Sequence, residues 1–183
     1  MDFTWLSNII EGLLQFIPRP VIIRATHGGV CWICGYKVIE MKPGWRFVWP
    51  LIMDYEIIPV ARQTNILPTQ ALITKDKHTV AVGAMIVFSI RDILRAVGQR
   101  NFDVMQTVND ITAAAVVKII TQVNLDSLLV DLTGKVEEDL TVACRKQLRA
   151  YGVYVHRVRF VDFSTCKIYK VLGTTPLAQS AGV

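Results

Sequence analysis

Residues 79–90 read TVAVGAMIVFSI, and this alternation constrains the fold more than any other stretch of the chain. Val80, Val82, Ala84, Ile86, Phe88 and Ile90 fall on one side of an extended backbone. Thr79, Ala81, Gly83, Met85, Val87 and Ser89 fall on the other, the period-two signature of a β-strand. The first set is apolar throughout, so that face is expected to be buried. A polar turn, Lys75-Asp76-Lys77-His78, leads into it. Upstream, Pro43-Gly44 and Pro50 bracket Trp45-Arg46-Phe47-Val48-Trp49, a short aromatic strand between two turns. The first half of the chain is therefore a β-rich platform.

The rest of the chain is read around that platform. Residues 21–62 give several short strands separated by Gly28-Gly29, Gly35, Pro43-Gly44 and Pro50. Residues 65–74 form another extended piece, with Pro68 marking an edge or a bulge. A short helix is predicted over residues 91–100, with Asn101 capping the helix after it. Val104, Val108, Ile111, Ala115, Ile119 and Val123 then make a helical stripe, and residues 125–129 a brief helical turn. A second helix is predicted over residues 133–151, with Val136, Leu140, Ala143 and Leu148 on its apolar side. Its acids (Glu137, Glu138, Asp139) come early and its bases (Arg145, Lys146, Arg149) late, matching the helix dipole. Gly152 is the expected left-handed stop. Residues 153–163 return as a strand with Val158 and Phe160 facing in, and His156, Arg157 and Arg159 facing out. Strands followed by helix, helix and strand spell an α+β fold: a β lobe over about residues 20–92 and an α/β lobe over about 93–165. Residues 166–183 read as a loose tail.

Residues 3–17 carry a second pattern. Phe3, Leu6, Ile9, Ile10, Leu13, Leu14 and Ile17 recur at helical spacing with Trp5 at the edge, opposite Thr4, Ser7, Asn8, Glu11 and Gln15. Pro18 and Pro20 stop this helix, so residues 1–19 are expected to form one amphipathic element. It is too short and polar to span a bilayer, and the features of a cleaved secretory leader are missing. It either lies in a membrane interface or packs on protein. The apolar fraction of 52% and a mean hydropathy of +0.38 mean that lipid or partner subunits must cover surface. All four tryptophans (Trp5, Trp32, Trp45, Trp49) lie in the first 50 residues, which favours the interface. Such a helix would gain roughly 5–10 kcal/mol from apolar burial before ordering is counted. The expected membrane contacts are thus Phe3, Trp5, Leu6, Ile9, Ile10, Leu13, Leu14 and Ile17, joined by Trp45, Phe47 and Trp49.

The net charge of +5 is spread along the chain with no basic run, which argues for a solvated surface and against nucleic acid. Cys31-Trp-Ile-Cys34 has CxxC spacing, but no second pair or histidines complete a zinc set, and no metal or cofactor is expected. Buried reduced thiols are the simple reading, with acylation of Cys31 or Cys34 as the alternative near a membrane. Ser7, Ser89, Ser127, Ser164 and Ser180 lack a nucleophile-elbow context, and His27, His78 and His156 lie in separate turns and strands. No catalytic set is predicted, and the chain is not expected to be an enzyme.

Taken together, the segments resemble the SPFH superfamily, also called Band 7, which includes stomatin, prohibitin, flotillin and bacterial regulators of a membrane AAA protease. The resemblance lies in Gly28-Gly29-Val30, the Lys-Pro-Gly, aromatic, Pro block of residues 42–50, and the Arg-Gln stretch of residues 60–63. It continues through the Thr-Lys-Asp turn into the Val-rich strand at 74–82, the Leu-x-x-Leu-Leu element at 125–129, and the aromatic-Gly-Val-x-Val strand at 151–155. It covers about residues 20–165. Two positions depart from it. Val116-Val117 stand where the family often carries Leu-Arg, and the chain stops where the family continues into a long coiled coil. Lateral packing of the SPFH lobes is then the expected assembly route.

The resemblance implies a membrane-associated scaffold that forms homo-oligomeric rings or arrays, organises a membrane microdomain and regulates partners such as a membrane-bound protease. The alternative is a soluble self-assembling shell or adaptor that uses the same fold for stacking.

Overall fold

The computed structural model describes residues 17–98, 103–131 and 134–165. The amphipathic element predicted over residues 1–19 lies, apart from its last three residues, outside that set, as do Cys166 and the tail.

Nine strands and three α-helices are described. In chain order they are β1 Arg19–Ile23, β2 His27–Ile33, β3 Lys37–Met41, β4 Gly44–Val48, β5 Met53–Pro59, β6 Gln63–Ile66, β7 Gln70–Ile73 and β8 Thr79–Ile90. A π-helical turn at Leu94–Gly98 comes next, then α1 Val104–Ile120, α2 Leu125–Asp131, α3 Lys135–Leu148 and β9 Val153–Thr165. The N-terminal part is rich in strands, and the C-terminal part is helix plus strand.

The alternating stretch is the centre of the main sheet. All six residues of its apolar set are buried, and β8 pairs antiparallel with β6 and β7 along one edge and with β9 along the other. Pro68 sits between β6 and β7, where Leu67 still donates to the Ala84 carbonyl at 2.8 Å. The large core gathers the inner faces of β8 and β9 against α1 and α3, around Ile86, Phe88, Ile120, Leu140 and Val155.

Two smaller sheets stack outward from there. The sheet β3–β2–β5 turns Val30, Trp32, Val38 and Ile58 toward the large core. Its other face, with Cys31, Met41, Ile33 and Met53, closes a small second core against Ile23 and Val48 of the β1–β4 ribbon. That ribbon is the outermost layer.

The helices shift some expected positions. Asp103, not Asn101, caps α1, accepting from the Gln106 amide at 3.0 Å. In place of a helix over 91–100 there is the short π-turn. The buried stripe of α1 runs through Thr112, Val116 and Ile120, with Ile111 and Ile119 only half-buried. On α3, Cys144 fills the place expected for Ala143, and burial pushes its thiol up to about 11.

β9 shows why simple alternation misreads a long strand. Its register on β8 skips one residue at His156 and another at Val161. Each bulge flips the parity, so Val153 and Val155 face in, then Val158 and Phe160, then Phe163. The outer edge of β9 is not open. From one stripe of α3, Thr141 Oγ1 accepts the Val158 amide at 2.9 Å and Glu137 Oε1 accepts the Phe160 amide at 2.9 Å. Arg145 donates to the carbonyls of Val155 (3.1 Å) and His156 (3.2 Å). Residues 137, 141 and 145 lie four apart, on one helical face, and stand in for a neighbouring strand.

The Lys75–His78 turn is more than a solvated connection. Asp76 accepts from the Thr74 hydroxyl and from the Leu125 amide (3.1 Å), while Lys75 N–H reaches the Val123 carbonyl (3.1 Å). The turn is thereby docked on the start of α2. Those hydrogen bonds, the Thr74 hydroxyl foremost, hold the Asp76 carboxyl below the usual carboxylate range.

Candidate functional site

The β1–β4 ribbon presents a surface of unusual composition. The register pairs Pro20 with Phe47 and Ile22 with Trp45, which puts these four side chains on one face. The opposite face sends Ile23 and Val48 into the small core, so the quartet points away from the protein. Ile22 is 58% exposed, Trp45 69% and Phe47 70%. Trp49, Leu51 and Ile52, in the loop after β4, extend the apolar area, and Ile17 just before β1 is also exposed. Arg19, Arg24, Lys42 and Arg46 are exposed on the same strands and their flanks, while residues 17–24 and 42–52 hold no acid. By register Arg19 and Arg46 share the inward side with Val48 and Val21, so it is Arg24 and Lys42, at one end of the ribbon, that flank the apolar face. Exposed apolar surface flanked by cations is what an anionic lipid interface attracts.

Of the expected contacts, the structure therefore brings Trp45 and Phe47 onto one face, with Trp49 and Ile17 exposed close by in sequence. Phe3, Trp5, Leu6, Ile9, Ile10, Leu13 and Leu14 lie outside the described residues. Pro20 and Ile22 escape a reading of the sequence because PVII is apolar without alternation. Only the pairing with β4 reveals which two face out.

The cysteines separate. Cys31 is 5% exposed inside the small core, where burial and, less strongly, Asp54 raise its thiol pKa. Cys34 is exposed at φ 51° in the β2–β3 turn beside Gly35 at φ 77°. Among the described residues no group of three or more His, Cys, Asp or Glu could hold a metal ion.

One contact that the sequence did not signal joins Ser89 Oγ to His156 Nε2 at 3.0 Å. The β9 bulge places His156 there. It looks like a nucleophile–base pair until its third partner is considered. Arg62 Nη2 lies 3.3 Å from His156 Nδ1. A guanidinium can only donate, so Nδ1 accepts and the ring proton sits on Nε2, facing the serine. The imidazole is then no base toward Ser89. Burial first, and then the fields of Arg62, Arg91 and Arg145, push the His156 pKa down. A catalytic triad needs an anion in the place that Arg62 holds.

Comparison with known proteins agrees with the resemblance read from the motifs. The profile of the SPFH domain / Band 7 family matches residues 21–171. The chain belongs to the SPFH (Band 7) family. Stomatin homologs of Pyrococcus horikoshii and Pyrococcus abyssi are 30% and 31% identical to it over 162 residues. Each alignment takes in 88% of this SPFH chain and 60% of the homolog. An uncharacterized protein of Archaeoglobus fulgidus is 25% identical over 88% of the chain and 64% of its own length. The chain thus spans less than two thirds of these three relatives. Among its described residues no helix is long and apolar enough to cross a membrane.

Proposed function

We propose that this SPFH protein is a membrane-associated scaffold without enzymatic turnover, lying on the bilayer through the outer face of the β1–β4 ribbon and self-associating side by side. The observation that carries the reading is the exposed face of Ile22, Trp45 and Phe47, with Arg24 and Lys42 at its end. Residues 1–19 would add an interfacial helix beside the ribbon, residues 20–165 would be the SPFH domain, and 166–183 a tail. Cys34, as the exposed thiol of the pair, would be the one open to acylation. Kinship with stomatin homologs supports membrane association. Arrays of such copies would hold a membrane patch together and restrain partners within it, a membrane-bound protease among them.

Liposome flotation tests the ribbon. Trp45 and Phe47 are mostly exposed, so lipid burial of each is worth about 1–2 kcal/mol, and Trp45→Ser with Phe47→Ser should weaken partition roughly 30- to 1,000-fold. Leu6, Ile10 and Leu13 changed together to Glu should release the helix in the same assay. A protein that never floats with vesicles and sediments as a monomer would refute both halves of the proposal. Self-association without flotation would leave the soluble shell or adaptor as the reading.

A further inference from the structure

A cleft of about 550 Å³ opens where β8 ends, between the C-terminal turn of α3 and the start of β9. Arg91, Arg95, Arg145, Lys146 and Arg149 line it, with Asp92 as the single acid. Asp92 is taken by Arg95, at 3.0 Å. Among the described residues none of the other four cations meets a carboxylate.

Two of them are held in place. The Arg91 guanidinium lies over the Tyr154 ring, 3.7 Å from its centroid, and Arg145 over the same ring at 5.4 Å. Arg145 is further fixed by the Val155 and His156 carbonyls. The walls also carry Val142 and Val153. Bases in the last turn of α3 are expected from the helix dipole alone. That accounts for Arg145, Lys146 and Arg149, but not for Arg91, which directly follows β8. Four cations without a carboxylate partner around one concavity give it a positive field that attracts an anion.

We infer that this cleft binds a phosphate ester, presented either by a soluble molecule or by a lipid headgroup. Nε and Nη2 of Arg145 are spent on the carbonyls, so Lys146 and Arg149 supply the exposed donors and Arg91 and Arg145 the fixed positive field. A phosphate monoester brings nearly two charges to such a site where a carboxylate brings one. The volume suits a small ligand, with Val142 and Val153 receiving its carbon skeleton. The Tyr154 face is occupied by Arg91, so recognition of an aromatic base by stacking is not on offer.

The test uses the full chain, with glycerol phosphate and inorganic pyrophosphate titrated calorimetrically at low and at physiological salt. Saturable binding is expected, weaker at the higher salt and reduced at least tenfold by Lys146→Glu with Arg149→Glu. Both side chains are exposed, so the variant should fold; circular dichroism checks this. Trp45→Ser with Phe47→Ser should leave the titration unchanged, which separates this site from the ribbon. Phosphatidylcholine vesicles with and without phosphatidic acid distinguish the sources. Binding that depends on phosphatidic acid, is lost in the Lys146/Arg149 variant and is competed by glycerol phosphate upholds the site with lipid as the source. Saturable binding of the soluble esters alone upholds it with a soluble source. Titrations without saturation, or saturation untouched by the variant, would overturn the inference. So would binding of a glutamate-rich peptide with none of either phosphate compound, which would make the cleft a protein-docking surface.

Discussion

If α3 substitutes for a strand along the edge of β9, then replacing the middle group of its polar stripe should cost stability out of proportion to the atoms removed. Thr141→Val is the sharpest perturbation, because it keeps the shape and deletes only hydrogen-bonding capacity. In the native protein Thr141 Oγ1 accepts the Val158 amide at 2.9 Å and passes its own proton to the Glu137 carbonyl at 2.8 Å. Losing the second bond matters little, since that carbonyl is within reach of the helix's own amides. Losing the first strands an amide whose residue is 1% exposed, at about 1–3 kcal/mol. Thr141→Ser keeps the hydroxyl and removes one methyl, at about 0.8 kcal/mol or less for a half-buried site. Urea unfolding followed by far-ultraviolet circular dichroism at fixed protein concentration reads the difference. With a slope near 2 kcal/mol per molar, the valine variant should unfold about 0.5–1.5 M earlier than the wild type, and the serine variant within about 0.4 M of it. Hydrogen exchange at the Val158 amide should quicken in the valine variant alone. Equal midpoints for the two variants would refute the idea that α3 side chains complete this edge.

Three further outcomes rest on single residues. Gly152 has φ 73° and a Cβ there would stand 2.2 Å from the Asp92 carbonyl oxygen, so Gly152→Ala should cost about 2–5 kcal/mol. Gly35, at φ 77° with nothing within 4 Å, bears only the conformational part, and Gly35→Ala should cost about 1 kcal/mol in the same denaturation series. His156 has a folded pKa below the ordinary 6.5, so the unfolded chain binds its proton more readily than the native one. Its contribution is complete above pH 6.5 and is lost as pH falls through the lower folded value. His156→Gln should therefore flatten the decline of unfolding free energy on the acid side of neutrality, and an unchanged slope would argue against the arginine field.

How much of the molecule is readable from its sequence depends on whether local pattern or pairing decides. Strand β8 is legible because one face lies wholly in the core while the other is only partly covered, so all six of Val80, Val82, Ala84, Ile86, Phe88 and Ile90 are buried, joined on the other face by Gly83 and Val87 alone. Gly152 is legible because a helix end and a left-handed turn are local demands. The face of β9 is not, because the bulges at His156 and Val161 have no mark in the sequence and show only in register against β8. Ala143 and Cys144 are adjacent small residues, and which of them is inside depends on how α3 rotates to reach β9 with Glu137, Thr141 and Arg145. The same distinction divides the two candidate surfaces. Trp45 and Phe47 announce themselves through type and spacing, whereas the cationic cleft draws Arg91 and Arg149 from positions 58 residues apart, which look like scattered surface charge until β8, α3 and β9 meet. The even spread of basic residues that argues against a binding patch is a property of the chain, and folding concentrates five of them around one concavity.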